Sequence, residues 1–223
     1  MRQGTIVLTA TFTAEPVKES LAFWMEELDL PFRIEFAPYN QVFQQLLDPS
    51  SLISRNRNGI NVVLVRLEDW LRLQVGDRAD AGTGHGVCGR VERGARDLAL
   101  ALQSAAADSP TPLLVCLCPV SRAAAADSEI SSCFRQVEEL MISELGAVSG
   151  VYLSRTADLA AAYPVAAYDN PHGDQLGHVP YAQVFFAALG TFIARRIYAL
   201  QGAPYKVIVL DCDQTLWKGV CGE

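Results

Sequence analysis

Two carboxylates near the end of the chain could carry out phosphoryl chemistry. Asp211 and Asp213 stand one residue apart, directly after the apolar run 207–210. If this run is a parallel strand, both carboxylates border a crevice, because ligands bind outside the carboxyl ends of such strands. Paired carboxylates suit a hard cation such as Mg²⁺, and a carboxylate can also attack phosphorus. The alternative is a plain strand end with solvated acids, although the D-x-D-x-T spacing and the glycine loop after it favour the functional interpretation.

The residues upstream alternate between strand and helix patterns. Apolar runs of strand length occur at residues 5–11, 32–36, 60–67, 111–118 and 150–154. Helical patterns occur at residues 15–28, 39–47, 91–106, 129–146 and 181–200. The run 60–67 is continuous and rich in β-branched residues, which is typical of a strand buried on both faces. This alternation predicts an α/β fold, a doubly wound parallel sheet of about five strands flanked by helices.

A Gly-Pro break at residues 201–204 divides the chain into two predicted domains. Residues 1–200 would form the α/β domain, and residues 201–223 would begin a second domain with a new strand. Within the first domain, residues 74–89 are rich in Gly and Asp and are predicted to be a long loop. Residues 168–181 are dense in polar and turn-forming types.

Composition excludes some classes of function. The 223 residues are 50% apolar and carry a net charge of −7, which argues against binding to a nucleic-acid backbone. The longest apolar run, 184–194, is interrupted by Gly190 and is too short to span a bilayer. The six cysteines lack the paired spacing of a zinc site, and the first residues do not resemble a secretion signal, so we expect a reducing cytoplasm.

The terminal segment resembles a known family. VIVLDCDQTLWKGVCGE (207–223) resembles the first motif of the haloacid-dehalogenase (HAD) phosphatase superfamily. Its TLWKGVCGE continuation is similar to the FkbH-like branch of polyketide and nonribosomal peptide assembly lines. Upstream, ATFTAEP, FAPYNQVFQQLLDP, NVVLVRLEDW and the stretch from GHVPY to ARRIYAL resemble the N-terminal domain of that branch. The resemblance therefore covers most of the chain.

This resemblance implies roles for the terminal residues. Asp211 would be the phosphoryl-accepting nucleophile and a Mg²⁺ ligand, and Asp213 would be a general acid/base that also binds the metal. Thr215 would position the loop, and Gln214 stands where the branch usually has Asn. The later HAD motifs, a phosphate-binding Ser/Thr, a Lys and a second acidic cluster, are absent from these 223 residues. Because phosphoryl transfer needs several converging charges, we expect no phosphatase activity from this chain alone.

The same resemblance implies an acyl transfer. Proteins of this branch are thought to dephosphorylate a phosphoglyceryl unit and to load the three-carbon acyl group onto the thiol of an acyl carrier protein. A transfer of this kind favours a cysteine, because thiolates are good nucleophiles. Cys221 is the candidate acyl carrier, whereas Cys212 alternates away from the aspartates. Both could equally be ordinary packed thiols.

The N-terminal domain of the branch is described as SGNH-hydrolase-like, which agrees with a flavodoxin-like parallel sheet. Active SGNH proteins use a Ser after the first strand and an Asp-x-x-His near the end. Asp169 and His172 match the second element, and His178 is another candidate base. The Ser is missing here. Thr11 could replace it, but threonine is a hindered nucleophile and more often ends a strand or caps a helix.

Each of these candidates has a structural alternative. Asp169 and Asp174 lie among Asn, Pro and Gly, where Asx turns are common, and His172 fits a loop histidine without an active role. Glu68, Asp69 and Trp70 follow the third strand, where a Gly-x-Asn-Asp motif is expected. They are placed for ligand contact, although a helix-capping Asp explains them as well.

Three functions are compatible with these residues. The first is a pseudo-hydrolase domain that positions a phosphoglyceryl substrate or an acyl carrier protein for a downstream HAD domain with its Mg²⁺. The second is an active SGNH-type acyltransferase or esterase. The third is a structural adaptor without a small-molecule site. The missing Ser favours the first over the second.

Overall fold

The computed structural model describes residues 4–72 and 84–202, with residues 207, 209–211 and 218 beyond them. Five strands form one parallel sheet in the order β2-β1-β3-β4-β5. The strands are β1 (Gly4–Ala10), β2 (Phe32–Phe36), β3 (Gly59–Arg66), β4 (Leu113–Cys118) and β5 (Val151–Ser154). The predicted doubly wound parallel sheet of five strands is confirmed, and this strand order is the flavodoxin-like one.

Helices cover both faces of the sheet. They are α1 (Val17–Glu27), α2 (Val42–Leu47), α3 (Leu52–Arg55), α4 (Gly84–Asp108), α5 (Arg122–Ala126), α6 (Ser128–Leu145), α7 (Thr156–Ala162), α8 (Pro171–Gly177) and α9 (Gln183–Gln201). A 3₁₀ turn, Leu67–Leu71, directly follows β3. The helix α9 buries seven apolar side chains together with Gly190, as its apolar sequence predicts.

The central strands are buried because alternate side chains enter two different cores. In β3, Ile60, Val62 and Leu64 face the core under α1 and α9. Val63 and Val65 face the core under α4 and α6. Successive strand residues point to opposite faces, so a strand covered on both sides must be apolar throughout. Burial on both faces therefore explains why the run at 60–67 is continuously apolar.

Besides the short helices α3, α5 and α7, which were not predicted, the structure differs from the sequence prediction in two segments. The helix α4 begins at Gly84, so residues 84–89, predicted as loop, are helical, while residues 73–83 lie outside the described part of the chain. The polar stretch 168–181 contains the helix α8. Its Pro171 occupies the first turn, and the Asn170 side chain accepts a hydrogen bond from the Gly173 N–H. Pro at the start and Asn at the cap are normal helix-initiating residues.

The cysteines also differ from expectation. Cys88 of α4 and Cys133 of α6 form a disulfide, although the sequence favoured free thiols. Cys116 and Cys118 are free and buried in β4. Within the described ranges, none of the helices has the length and apolar character needed to cross a membrane.

Candidate functional site

The carboxyl ends of β1 and β3 mark the place where the connections of the sheet diverge. β1 leads through α1 to β2 on one side, whereas β3 leads through α4 to β4 on the other. Ligands of open parallel α/β sheets bind in the crevice that this divergence creates. The side chains gathered there, called the switch-point cluster below, are Thr11, Tyr39, Arg66, Asp69, Arg72, Asp174 and His178.

Arg66, the last residue of β3, is the buried centre of this cluster. The residue is 1% exposed. Its Nε donates to Asp69 Oδ1 at 2.7 Å, and Nη1 and Nη2 donate to the two carboxylate oxygens of Asp174 at 3.1 and 3.0 Å. Burial by itself lowers the pKa of Arg66, but the charge of Asp69 and the hydrogen bonds to both carboxylates outweigh it and raise that pKa. The two carboxylates are required, because an unpaired buried charge is costly.

Thr11 contributes a hydroxyl whose hydrogen bonds are already made. Its Oγ1 donates to Asp69 Oδ2 at 2.7 Å and accepts the backbone N–H of Arg66 at 3.0 Å. The residue is 4% exposed. A catalytic hydroxyl is activated by an adjacent base, usually an imidazole, whereas this one donates to an ion-paired carboxylate. The bonds join the end of β1 to the end of β3.

His178 reaches the cluster from the end of α8. Its φ of 51° and ψ of 41° are left-handed, which is uncommon for a residue other than glycine. The backbone is held there because its carbonyl accepts the Thr13 N–H at 2.9 Å. The ring Nε2 lies 2.8 Å from Asp69 Oδ1 and 3.2 Å from Arg66 Nη2, and Nδ1 contacts the Tyr39 hydroxyl.

Asp69 and Tyr39 fit one tautomer of a neutral His178 ring, whereas Arg66 Nη2, a donor 3.2 Å from Nε2, has its own acceptor in the Asp174 carboxylate. A carboxylate only accepts, so a ring N–H at Nε2 donates to Asp69, and Nδ1 of a neutral ring accepts from Tyr39. Burial, and next the charge of Asp69, raise the pKa of Tyr39, which keeps that hydroxyl protonated as the donor. In this arrangement both ring nitrogens are occupied.

A pocket of about 420 Å³ adjoins the switch-point cluster. Arg72 lies in its wall, where Nη2 donates to Asp174 Oδ2 at 2.5 Å while 40% of the side chain stays exposed. Tyr39 and Leu176, which are 52% and 76% exposed, also line it. Thr13, a further hydroxyl of the pocket, donates to the Gly177 carbonyl at 2.7 Å.

The cluster suits ligand binding better than covalent catalysis. The positive charges of Arg66 and Arg72 are balanced by the negative charges of Asp69 and Asp174. The side chains at the base of the pocket are therefore polar but carry no net charge. Polar groups of a ligand could bind Arg72 and the exposed part of Tyr39. Among the described residues that line the pocket, no serine or cysteine is present to act as a nucleophile.

The Asp-x-x-His pair lies apart from this cluster. Asp169 accepts Nε of Arg122 at 2.5 Å and the Arg122 backbone N–H at 3.1 Å. His172 is exposed in α8, and within the described ranges its imidazole makes no side-chain hydrogen bond. Among the predicted bases and hydroxyls, the structure brings His178 and Thr11 together, through the shared carboxylate of Asp69.

The terminal candidates are largely outside the described residues. Asp211 is an exposed residue. Asp213, Thr215, Cys212 and Cys221 are not described, so their predicted roles remain predictions. In the described part of the chain, no group of three or more His, Cys, Asp or Glu side chains could hold a metal ion.

Sequence reasoning missed most of the charged residues of the cluster. Tyr39 and Arg72 were not predicted, and Asp174 was assigned to a turn, although it accepts hydrogen bonds from both arginines. The available signal was Arg66, a charged residue at the end of a continuous apolar strand. A buried arginine requires acidic partners. Asp69, three residues after Arg66, is close enough in the sequence to be one of them.

Comparison with known proteins supports the fold. No protein-family model matches the sequence, and no curated protein matches it significantly. Among solved structures, the chain is similar to the N-terminal part of the protein BF1531 from Bacteroides fragilis, which contains a phosphatase domain and is complexed with Mg. The TM-score is 0.71 at 13% identity, and the match covers 98% of this chain and 58% of that one.

A second similar structure is the salicylyl-acyltransferase SsfX3 from a tetracycline biosynthetic pathway. Its TM-score is 0.50 at 14% identity, with 90% of this chain and 55% of that chain covered. The present chain thus spans less than two thirds of either structure. At these identities the likeness establishes the fold: a doubly wound α/β domain of a kind found both in an acyltransferase and in the N-terminal part of a phosphatase-domain protein.

Proposed function

We propose that residues 4–202 are a positioning domain of an FkbH-like cytoplasmic protein. The complete protein would load a phosphoglycerate-derived three-carbon acyl unit onto an acyl carrier protein in polyketide or nonribosomal peptide biosynthesis. The observation that carries the proposal is the switch-point cluster. Its one buried hydroxyl, on Thr11, is engaged by Asp69 and by the Arg66 backbone, yet a pocket remains open beside it.

The rim of the pocket supports binding of a partner protein. Leu176 is 76% exposed and Tyr39 is 52% exposed, and both lie at the pocket. Exposed large apolar side chains next to a polar cavity are suited to a protein that inserts a flexible polar arm. A carrier protein has this form, since its acyl group is held on a thiol-bearing arm.

The terminal residues support a following phosphatase-like domain. Val207, Val209 and Leu210 are 73%, 88% and 57% exposed, although their types favour a buried strand. In the proposal, residues 207–210 would form a strand that the HAD-type domain buries. Asp211 and Asp213 would there hold Mg²⁺, which would stabilise the charge on the phosphoryl group.

A second candidate function is an SGNH-type acyltransferase or esterase. The observation in its favour is the 2.8 Å contact of His178 Nε2 with the buried carboxylate of Asp69, because general bases are commonly oriented by such a carboxylate. In this candidate Thr11 or a bound water would be the nucleophile. Its test is turnover of an activated ester by the wild type, His172→Ala and His178→Ala.

The positioning role is tested by binding to the pocket. Isotope-labelled protein is titrated with 3-phosphoglycerate, with phosphopantetheine and with a phosphopantetheinylated carrier protein, and amide shifts are followed by NMR. We expect at least one probe to shift the amides of Tyr39, Leu176 and His178. Leu176→Ser should weaken carrier-protein binding by about 10- to 100-fold, since burial of one leucine is worth roughly 1.5–3 kcal/mol.

Leu100→Ser is the matched control, because Leu100 is 62% exposed on α4, away from the pocket. It should leave binding unchanged. If none of the three probes shifts the pocket amides at about 1 mM, the weak end of measurable affinity, the positioning role is refuted and a structural adaptor is supported. Equal weakening by both variants would also contradict a site at the pocket.

A further inference from the structure

Cys88 and Cys133 connect two helices that lie on the same face of the sheet. Cys88 lies in the second turn of α4 and Cys133 in the second turn of α6, 45 residues apart. Their Cα atoms are 5.6 Å apart, which is within the range of an ordinary disulfide, so the helices need not move to form the bond. Both residues pack in the core that includes Val91, Ile130 and Phe134.

The two free cysteines of the described ranges, Cys116 and Cys118, are unsuited to redox chemistry. Cys116 and Cys118 are each 2% exposed in β4. Burial raises the pKa of the Cys116 thiol to about 12 and raises the pKa of Cys118 as well. Since the thiolate is the reactive form, these two thiols are inert in the folded protein. Cys88 is only half-buried and can be approached from solvent.

The cross-link lies on the helix that supports the switch-point cluster. Gly94, less than two turns after Cys88, packs against Trp70, and a Cβ at this glycine would lie 2.9 Å from the ring. Trp70 belongs to the 3₁₀ turn Leu67–Leu71, which also carries Asp69. A bond that holds the first turns of α4 against α6 therefore also limits the movement of this turn.

We infer that Cys88 and Cys133 form a reversible thiol–disulfide pair that controls how firmly the 3₁₀ turn of the switch-point cluster is held. The oxidant is a small-molecule disulfide, RSSR. The Cys88 thiolate attacks one sulfur and releases RS⁻, and the Cys133 thiolate then attacks the mixed disulfide and releases the second RS⁻. The two thiol protons end on the released thiolates, so two protein thiols and RSSR give one protein disulfide and two RSH. Small-molecule thiols reverse the reaction.

The test compares the same protein after oxidation with glutathione disulfide and after reduction with dithiothreitol. Peptide mapping should join Cys88 to Cys133 in the oxidised sample. Reduction should lower the melting temperature by roughly 5 to 15 °C, the range expected for a cross-link of this loop length in a domain of this size. Hydrogen exchange should become faster in the first turns of α4 and in Leu67–Leu71.

The double variant Cys88→Ser and Cys133→Ser is the control. It should melt near the reduced wild-type temperature and should not respond to either reagent. If this variant fails to fold, the wild-type comparison alone decides the question. Cys88 and Cys133 recovered as separate alkylated thiols after oxidation would overturn the inference. Unchanged exchange in Leu67–Leu71 between the two states would overturn the link to the cluster.

Discussion

Asp69 holds together three groups that arrive from different parts of the chain. Its carboxylate accepts from the Thr11 hydroxyl and from Arg66 Nε at 2.7 Å each, and His178 Nε2 lies 2.8 Å from it. The residue is 1% exposed. Removing one charge of a buried ion pair leaves the other charge without compensation. A small change at Asp69 should therefore have a large effect on the free energy of unfolding.

Asp69→Asn should destabilise the protein by about 3–5 kcal/mol, because Arg66 would keep its charge in a buried site with only Asp174 to balance it. The change preserves the shape of the side chain, so loss of packing does not contribute. The free energy of unfolding is measured by urea denaturation of the variant and of the wild type.

Glu92→Gln provides the control for Asp69→Asn, since it also replaces a carboxylate with an amide. Glu92 pairs with Arg96 across one helical turn, and the two side chains are 47% and 50% exposed. Exposed pairs of this type contribute less than about 1 kcal/mol. If Asp69→Asn costs no more than Glu92→Gln, the buried cluster does not stabilise the fold as described.

Part of the site could be predicted at the scale of single residues. The sequence placed Thr11, Asp69 and His178 among the candidates, because each follows or precedes a recognisable element. It could not pair them, since Asp69 and His178 are 109 residues apart. Their contact depends on the left-handed backbone at His178, for which glycine or asparagine is the usual sequence signal.

The packing of α1 against α9 depends on a single glycine. Gly190 lies opposite Ser20, whose one hydroxyl hydrogen can be donated to either of two carbonyls, that of Val17 at 3.2 Å or that of Phe186 at 3.4 Å. A Cβ at Gly190 would lie 2.0 Å from Ser20 Oγ and 3.1 Å from the Val17 carbonyl oxygen. Glycine allows the two helices to approach closely enough to cover the sheet.

Gly190→Ala should therefore destabilise the protein by about 1–2 kcal/mol, since the overpacking cost exceeds the gain in helix propensity. Gly89→Ala is the matched control, because Gly89 also lies in a helix and a Cβ there would meet nothing within 4 Å. That change should stabilise by about 0.5–1 kcal/mol. Melting temperatures measure both effects, and a Gly190→Ala protein that is more stable than wild type would contradict this packing.

The five strands, the longer helices and the short helix α2 could be predicted at this scale, whereas α3, α5, α7 and α8 could not. The strands and the helices α1, α6 and α9 follow apolar periodicity, which a continuous core requires. The beginning of α4 was missed because residues 84–89 contain three glycines, although the helix buries its apolar face from Val91 onward. The helix α8 was missed because this helix of seven residues, capped by Asn170, resembles a loop in its composition.

At the scale of the whole molecule, the sheet order determines where function can be located. The strand order 2-1-3-4-5 places the divergence of connections between β1 and β3, and the switch-point cluster and its pocket lie there. The parallel sheet was predictable because continuous apolar strands alternate with helices. The hydrogen-bond network of the switch-point cluster was not predictable, since it depends on the positions of side chains from four separate segments.

The central claim is that this cluster positions ligands and does not hydrolyse esters. The most direct measurement is turnover of 4-nitrophenyl acetate by the wild type, His172→Ala and His178→Ala, each checked by circular dichroism for an intact fold. We predict the same background rate for all three proteins, within about twofold. A catalytic base contributes on the order of 10²–10⁴-fold. Wild-type turnover that falls tenfold or more in either variant would contradict the claim and establish an active hydrolase site.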